Sequence, residues 1–256
     1  MKDRTAVVTG ATTGIGAELA ERLAGYGAHL VLVARTADRL HETAERLRAE
    51  HGVKVLAVPL DLAAHDAPRR LAQQLAEAGI EVEMLVNNAG ISDLAPVAAS
   101  EPARLRTVVD VNAGALAEIT ALLLPQMVAR DHGSVVNIAS TGAYSPAPYV
   151  AAYAASKAFV LSFTQALWGE TRNSGVRVVA ICPGPTETPM NTRPTPGKRH
   201  PRDVADTVVK ALNGSRSAVI DGRINALTSF VFGRLLPARL ATRIAERFMR
   251  AALPAA

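Results

Sequence analysis

The sequence predicts a single doubly wound α/β domain, a mainly parallel sheet with helices on both faces. Three observations carry this. Short apolar strands alternate with segments of helical period from the first residues to about position 221. A glycine-rich turn joins the first strand directly to the first helix. The polar residues able to do chemistry fall at strand carboxyl ends or on the helix that follows, where such a sheet binds ligands.

In order, Ala6-Val7-Val8 is a strand running into Thr9-Gly10-Ala11-Thr12-Thr13-Gly14-Ile15-Gly16, and a helix follows to about Ala24 with Leu19, Ala20 and Leu23 inward. Glycines there let backbone approach a pyrophosphate, and the helix start offers free N–H groups and a favourable dipole. The second strand, 29–34, ends at Arg35, 19 positions past Gly16. NAD sites place a carboxylate at about that distance, whereas Arg suits the 2′-phosphate of NADP(H). A helix over 38–50, a strand over 53–60 ending at Asp61-Leu62, and a helix over 66–78 come next. Met84-Leu85-Val86 leads into Asn87-Asn88-Ala89-Gly90. A long helix is expected over 101–129, with Pro125 a candidate kink. Asn112 within it reads as an interhelical hydrogen-bonding amide.

The stretch 135–157 is the centre of the chain. An apolar strand, 134–139, ends on Ser140, and a helix over 151–173 carries Tyr153 and Lys157 four residues apart on one face. A cation beside a phenol lowers its pKa and suits it to acid–base work. A strand over 176–181 leads to Pro183-Gly184-Pro185-Thr186-Glu187-Thr188-Pro189-Met190, and the Pro- and Thr-rich segment to Pro201 reads as a mobile flap. A helix over 202–212, a strand over 218–220 and a basic helix over 234–253 complete the chain.

Composition excludes several classes. With 256 residues, 49% apolar, the chain can bury a full core. Its net charge of +5 is spread too diffusely to argue for nucleic acid, though it suits an anionic cofactor. The single cysteine, Cys182, lies in an apolar run and reads as a buried inert thiol; no intramolecular disulfide can form. No metal-ligand pattern is present. Met1 passes almost directly into a strand, leaving no room for a signal peptide, and no run of about 18 apolar residues suggests a spanning helix. A cytoplasmic location is expected.

Together these motifs resemble the short-chain dehydrogenases/reductases over about residues 4–221, nearly the whole Rossmann-like core. The family's Thr-Gly-x-x-x-Gly-x-Gly corresponds to Thr9 through Gly16, its Asn-Asn-Ala-Gly to Asn87 through Gly90, and its adenine-side Asp-Leu to Asp61-Leu62. Its catalytic Asn, Ser, Tyr and Lys correspond to Asn112, Ser140, Tyr153 and Lys157, and its Pro-Gly-x-x-x-Thr to Pro183, Gly184 and Thr188. The resemblance implies NADP(H) held by Gly10, Thr12, Thr13, Gly14, Ile15, Gly16, Arg35, Asp61, Leu62, Asn88, Ala89, Gly90, Tyr153, Lys157, Pro183, Gly184, Thr186 and Thr188, with NAD(H) the alternative. Many NADP-dependent members carry a basic residue where this chain has Thr13, so Arg35 bears most of the discrimination.

The implied activity is reduction of a ketone or aldehyde of an apolar or mildly polar small molecule. Ser140 fixes the carbonyl, Tyr153 transfers the proton, Lys157 lowers its pKa and holds the nicotinamide ribose, and Asn112 holds a water. Leu94, Val97, Tyr144, Tyr149, Val150 and Met190 are expected to wall the substrate. A β-ketoacyl-type reductase, an alcohol-oxidising dehydrogenase and a non-catalytic cofactor sensor or scaffold are the alternatives. The resemblance also implies a homodimer or homotetramer paired through the two long helices. The segment at about 223–256 follows no family pattern. Leu236, Leu240, Ile244 and Phe248 form an apolar stripe interleaved with Arg234, Arg239, Arg243, Arg247 and Arg250. Such a helix suits a cover for the substrate pocket or a neighbouring subunit; it also suits a membrane surface.

Overall fold

A computed structural model of the chain describes residues 1–192, 194–195, 197–251 and 253. The strands are β1 (Thr5–Thr9), β2 (His29–Ala34), β3 (Val55–Pro59), β4 (Met84–Asn87), β5 (Gly133–Ile138), β6 (Val176–Cys182) and β7 (Ala218–Ile220). Among the described residues they form one seven-stranded sheet in the order β3-β2-β1-β4-β5-β6-β7, every pair parallel. The chain runs outward from β1 to β3 and returns to build the other half from β4. The switch point therefore opens a crevice above the carboxyl ends of β1 and β4.

Strand side chains alternate between two cores, which is why the apolar runs are nearly continuous. Val8, Leu30, Leu32, Val136 and Ile181 face Leu19 and Leu23 of α1 (Gly14–Gly25) and Leu40 and Leu47 of α2 (Ala37–His51). Val7, Val31, Leu85, Val135 and Val178 face the other side, against Leu71 of α3 (Ala67–Glu77) and buried residues of the long central helices. Each fully buried Leu or Val in these layers contributes about 1.5–3 kcal/mol.

The long helix departs from expectation. It is α4 (Pro102–Val109), a π-helical turn (Asp110–Ala115) and α5 (Leu116–Ala129), with α-helix continuing through Pro125. The irregularity sits at Asn112 instead. A single inserted residue of this kind re-aims a side chain without ending the helix, and such turns concentrate at functional sites. By length and composition Pro102–Ala129 could cross a membrane, contrary to expectation, but half of its apolar window is buried in the fold, as in a core helix.

After α6 (Ala151–Thr171) and β6, the segment expected to be a flap is tied at its base. Arg199 exchanges backbone hydrogen bonds with Pro185 and Glu187 at 2.9 Å, and its Nε donates to Asp221 at 2.6 Å. Asp221, wholly buried, also accepts from Thr207 of α7 (Pro201–Leu212) at 2.6 Å. Within the flap, Arg193 and Pro196 lie outside the described residues.

Beyond β7 lies a helix not expected from the sequence, α8 (Arg223–Phe230), which runs into a second π-helical turn (Val231–Leu235). The expected basic helix is shorter, α9 (Ala238–Arg250), because Pro237 starts it. The expected stripe is split: Leu236 and Ile244 are half-buried, as is Glu246, and Ala241 is buried, while Leu240 and Phe248 face solvent.

Candidate active site

The turn after β1 is built around glycine. Gly10 has φ +67°, a backbone conformation that side chains rarely adopt. A Cβ at Gly16 would lie 2.2 Å from the Gly10 carbonyl oxygen and 2.4 Å from Asn88 Nδ2, so no larger residue fits. Asn88 and Ala89 donate their N–H groups to Thr9 Oγ1, both at 3.0 Å, and Asn88 Nδ2 donates to the Thr9 carbonyl at 2.9 Å. Thus Asn88-Ala89-Gly90 is welded to the glycine turn across the switch point. Asn87, wholly inside, donates to Thr120 Oγ1 at 3.0 Å and Asn137 Oδ1 at 2.9 Å, and Asn137 donates to Thr164 Oγ1 at 2.9 Å. This buried amide ladder ties α5 and α6 to the sheet beneath the site.

Around that turn stand the other residues singled out from the sequence. Thr12, Thr13, Gly14 and Ile15 are half-buried, and α1 begins with no side-chain cap and no acidic residue in its first turn, leaving its N–H groups to an anion. Arg35 is exposed and makes no ion pair among the described residues. Arg39 reaches the Thr12 carbonyl at 3.4 Å. It brings a second cation that was overlooked, although its position four past Arg35 on a helix start was the available signal. Asp61 is exposed, with Oδ1 accepting the Ala63 N–H at 3.0 Å, whereas Leu62 is buried and offers only its backbone. Pro183 is buried. Gly184 packs beneath Asn225, where a Cβ would lie 2.4 Å from Oδ1. Thr186 is buried and donates to the Gly184 carbonyl at 3.0 Å, and Thr188 lies against Gly14, closing the crevice. A turn with Gly10, Gly14 and Gly16, an uncapped helix start and two cations fit a phosphorylated dinucleotide.

The reactive groups gather above β5. Ser140 follows the strand with extended backbone, and its Oγ accepts the Gly142 N–H at 3.1 Å. Tyr153 lies in the first turn of α6 and hydrogen-bonds Ser140. One turn on, Lys157 is buried; its Nζ donates to the Ile138 carbonyl at 2.7 Å and lies 5.9 Å from the Tyr153 ring centre. Asn112, with no exposure at all, accepts from Ile91 N at 2.8 Å and donates to Ile91 O at 2.9 Å and Ser156 Oγ at 3.0 Å. Ser156 in turn donates to the Tyr153 carbonyl at 2.7 Å. The expected interhelical bond is therefore made, to Ser156, whose only signal in the sequence is its place inside Tyr-Ala-Ala-Ser-Lys. Asn112 and Lys157 also converge on Gly90, whose Cβ position would be 3.3 Å from Asn112 Oδ1 and 3.4 Å from Lys157 Nζ.

The electrostatics correct one expectation. Burial raises the Tyr153 pKa, and the Ser140 hydrogen bond offsets it only in part. The Lys157 ammonium is hydrogen-bonded to the Ile138 carbonyl and stands 5.9 Å from the ring centre, and burial outweighs the groups that favour the phenolate. Burial lowers Lys157 itself to about 8, with the neighbouring Cys182 opposing. Cys182 is pushed up to about 11 by burial and accepts from Tyr144 at 3.7 Å, an inert thiol as expected.

Two loops wall the space in front of Ser140 and Tyr153. The loops carrying Leu94 and Tyr149 are joined by the Ala95 N–H donated to the Tyr149 carbonyl at 2.9 Å. Val97 and Met190 are exposed, and Tyr144 and Val150 half-buried. The wall is less neutral than the sequence suggested. Tyr149 donates to Glu246 at 3.1 Å, Arg250 donates to Tyr149 Oη at 3.2 Å, and Glu246 and Arg250 pair at 2.7 Å. Thus α9 is latched to the loop after Ser140.

Comparison with known proteins agrees with this architecture. The family model for short chain dehydrogenase matches residues 4–198. An uncharacterised oxidoreductase of Staphylococcus saprophyticus is 35% identical over 83% of this chain and 92% of its own length. The human very-long-chain 3-oxoacyl-CoA reductase is 32% identical over 90% of this chain and 75% of its own. A short-chain dehydrogenase from Sphingobium yanoikuyae, solved in complex with NADPH, superposes with a TM-score of 0.81 at 29% identity, covering 92% of this chain and 97% of the other. The chain is an oxidoreductase of the short-chain dehydrogenase/reductase family.

Proposed function

We propose that the chain is an NADP(H)-dependent reductase of apolar or mildly polar ketones and aldehydes. The observation that carries this is the meeting of Ser140 and Tyr153 at the mouth of a crevice whose far end holds Arg35 and Arg39. The turn Gly10–Gly16, Asn88–Gly90 and Thr188 would hold the dinucleotide, with Arg35 and Arg39 on the 2′-phosphate. When bound, the reduced cofactor supplies the hydride to the carbonyl carbon.

Ser140 donates a hydrogen bond to the carbonyl oxygen and orients it. Tyr153 gives its phenolic proton to that oxygen, so that carbonyl plus hydride plus proton yields the alcohol. A phenol whose pKa is raised by burial holds its proton at neutral pH, which suits a donor in the reducing direction. Lys157, at about 8, both carries and releases a proton near neutrality, and it stands one turn from the phenol with Asn112 beside it.

The name of the human relative supports a second reading, a 3-oxoacyl thioester as substrate. The outward face of α6 supports a homodimer or homotetramer: Phe159 and Trp168 are exposed, and Phe159 stacks on Phe163 with ring centres 5.6 Å apart. The test is a panel of apolar ketones, aldehydes, sugars and 3-oxoacyl thioesters, followed by loss of NADPH and NADH absorbance. Turnover of apolar ketones with NADPH is expected. Binding of NADPH without turnover of any of them would make the chain a sensor or scaffold. A monomer in sedimentation at micromolar concentration would count against the α6 interface.

A further inference from the structure

The chain's charge is not where the composition suggests. Residues 1–222 hold 22 basic and 22 acidic side chains. The segment 223–256 adds six arginines and one glutamate, so the whole net charge of +5 resides there. All six arginines are exposed, and Arg223, Arg234, Arg239, Arg243 and Arg247 make no ion pair among the described residues.

The same segment exposes large apolar side chains. On α8, Ile224 and Leu227 face solvent, Ile224 at 74%. Phe230 and Leu235 follow, then Leu240 and, at 72%, Phe248 on α9. Leucine and phenylalanine held out in water this way are unfavourable, and their grouping within one short segment marks a surface that is covered in use. On α9 the inner side is occupied by buried Ala241 and by Glu246, bonded to Tyr149. Leu240 and Phe248 are therefore left outward, and the unpaired arginines flank them on the same helix.

We infer that α8 and α9 dock the protein peripherally onto an anionic lipid surface. Charge decides the occupant. A second copy meeting this face about a two-fold axis would set unpaired arginines against arginines, whereas anionic headgroups neutralise them while the acyl region takes Leu240 and Phe248. A nucleic acid would satisfy the arginines and leave the apolar side chains in water. The latch from Tyr149 to Glu246 and Arg250 holds the docked helix beside the mouth of the active site. This reading of the surface does not depend on which substrate the site reduces.

The test uses the full chain with vesicles of phosphatidylcholine alone and of phosphatidylcholine with phosphatidylglycerol. Binding by co-sedimentation should be about tenfold or more stronger on the anionic vesicles and fall as salt is raised. Leu240→Asp with Phe248→Asp should abolish vesicle binding while turnover of a water-soluble ketone and the melting temperature stay unchanged. Arg239→Gln, Arg243→Gln and Arg247→Gln together should weaken it at least tenfold on anionic vesicles only. Failure of the wild-type chain to bind either vesicle overturns the inference. So does wild-type binding by both variants. Conversion of a sedimenting dimer to monomer by Leu240→Asp and Phe248→Asp, without vesicle binding by the parent, would assign the face to a second copy.

Discussion

The body of the chain and its last two helices are built on opposite rules. In residues 1–222 charge is balanced, and many of the ion pairs are local, such as Arg106 with Asp110 and Arg46 with Glu50. Most polar groups that go inside are bonded, as in the ladder from Asn87 Nδ2 through Asn137 to Thr164, although Asn87 Oδ1 has no partner among the described residues. In residues 223–256 six arginines stand against one glutamate, and Leu227 and Phe248 stand in solvent. Exposed large apolar side chains occur in both regions, Phe159 and Trp168 on α6 among them, but the second region groups them with arginines that make no ion pair among the described residues. The proposed chemistry and the proposed docking surface thus belong to different parts of the molecule, joined at Tyr149.

The sharpest separation of the two comes from the reactive end. Tyr153→Phe removes the phenol bonded to Ser140, and turnover should fall by about 10²–10⁴-fold. NADPH binding, followed by fluorescence, and vesicle binding should both persist. Residual turnover near that of the parent would break the assignment of Tyr153 as proton donor.

Next in size is cofactor choice. Arg35→Asp removes a cation from the crevice and adds an anion, so NADPH should weaken by about 1–3 kcal/mol relative to NADH. Titration of both cofactors reads this directly. Equal loss of both would shift the 2′-phosphate to Arg39 alone.

A third prediction concerns stability in the body without cofactor. Lys157 has a folded pKa of about 8, below the 10.5 of a free lysine. Between those values the unfolded chain binds more protons, so this group makes stability rise with pH. Cys182, at about 11 against 9.0, works the other way above pH 9. The rise should therefore be seen from pH 8 to 9, with a slope of at most ~1.4 kcal/mol per pH unit. Chemical denaturation of Lys157→Met should lose that slope, and an unchanged slope would mean that Lys157 is not the group responsible.

The smallest effect tests the joint. Glu246→Gln keeps the size of the side chain and weakens its bonds to Tyr149 and Arg250. Both partners are partly exposed, so the change in stability should stay below ~1 kcal/mol. The KM of an apolar ketone should change about two- to threefold while kcat and NADPH affinity hold. A parallel loss of NADPH affinity would show that the tail reaches the cofactor crevice as well.

Much of the body was legible in the sequence because its determinants are local. The alternation of apolar runs with helical segments, the glycine-rich turn after the first strand and the order of the motifs point to a parallel doubly wound sheet. They also bring Asn112, Ser140, Tyr153 and Lys157 to one end of it. What tertiary structure alone decided is how those side chains address one another. Lys157 turns to the Ile138 carbonyl, and burial is the largest influence on the Tyr153 pKa, raising it. The irregular turn falls at Asn112 and not at Pro125, because the amide must meet Ile91 and Ser156 on separate elements. In the tail, the sequence determined the apolar stripe and its arginines, since periodicity is a property of one helix. Which side of that helix touches the protein depends on Tyr149, about a hundred residues away in the chain, and only the folded structure brings the two together.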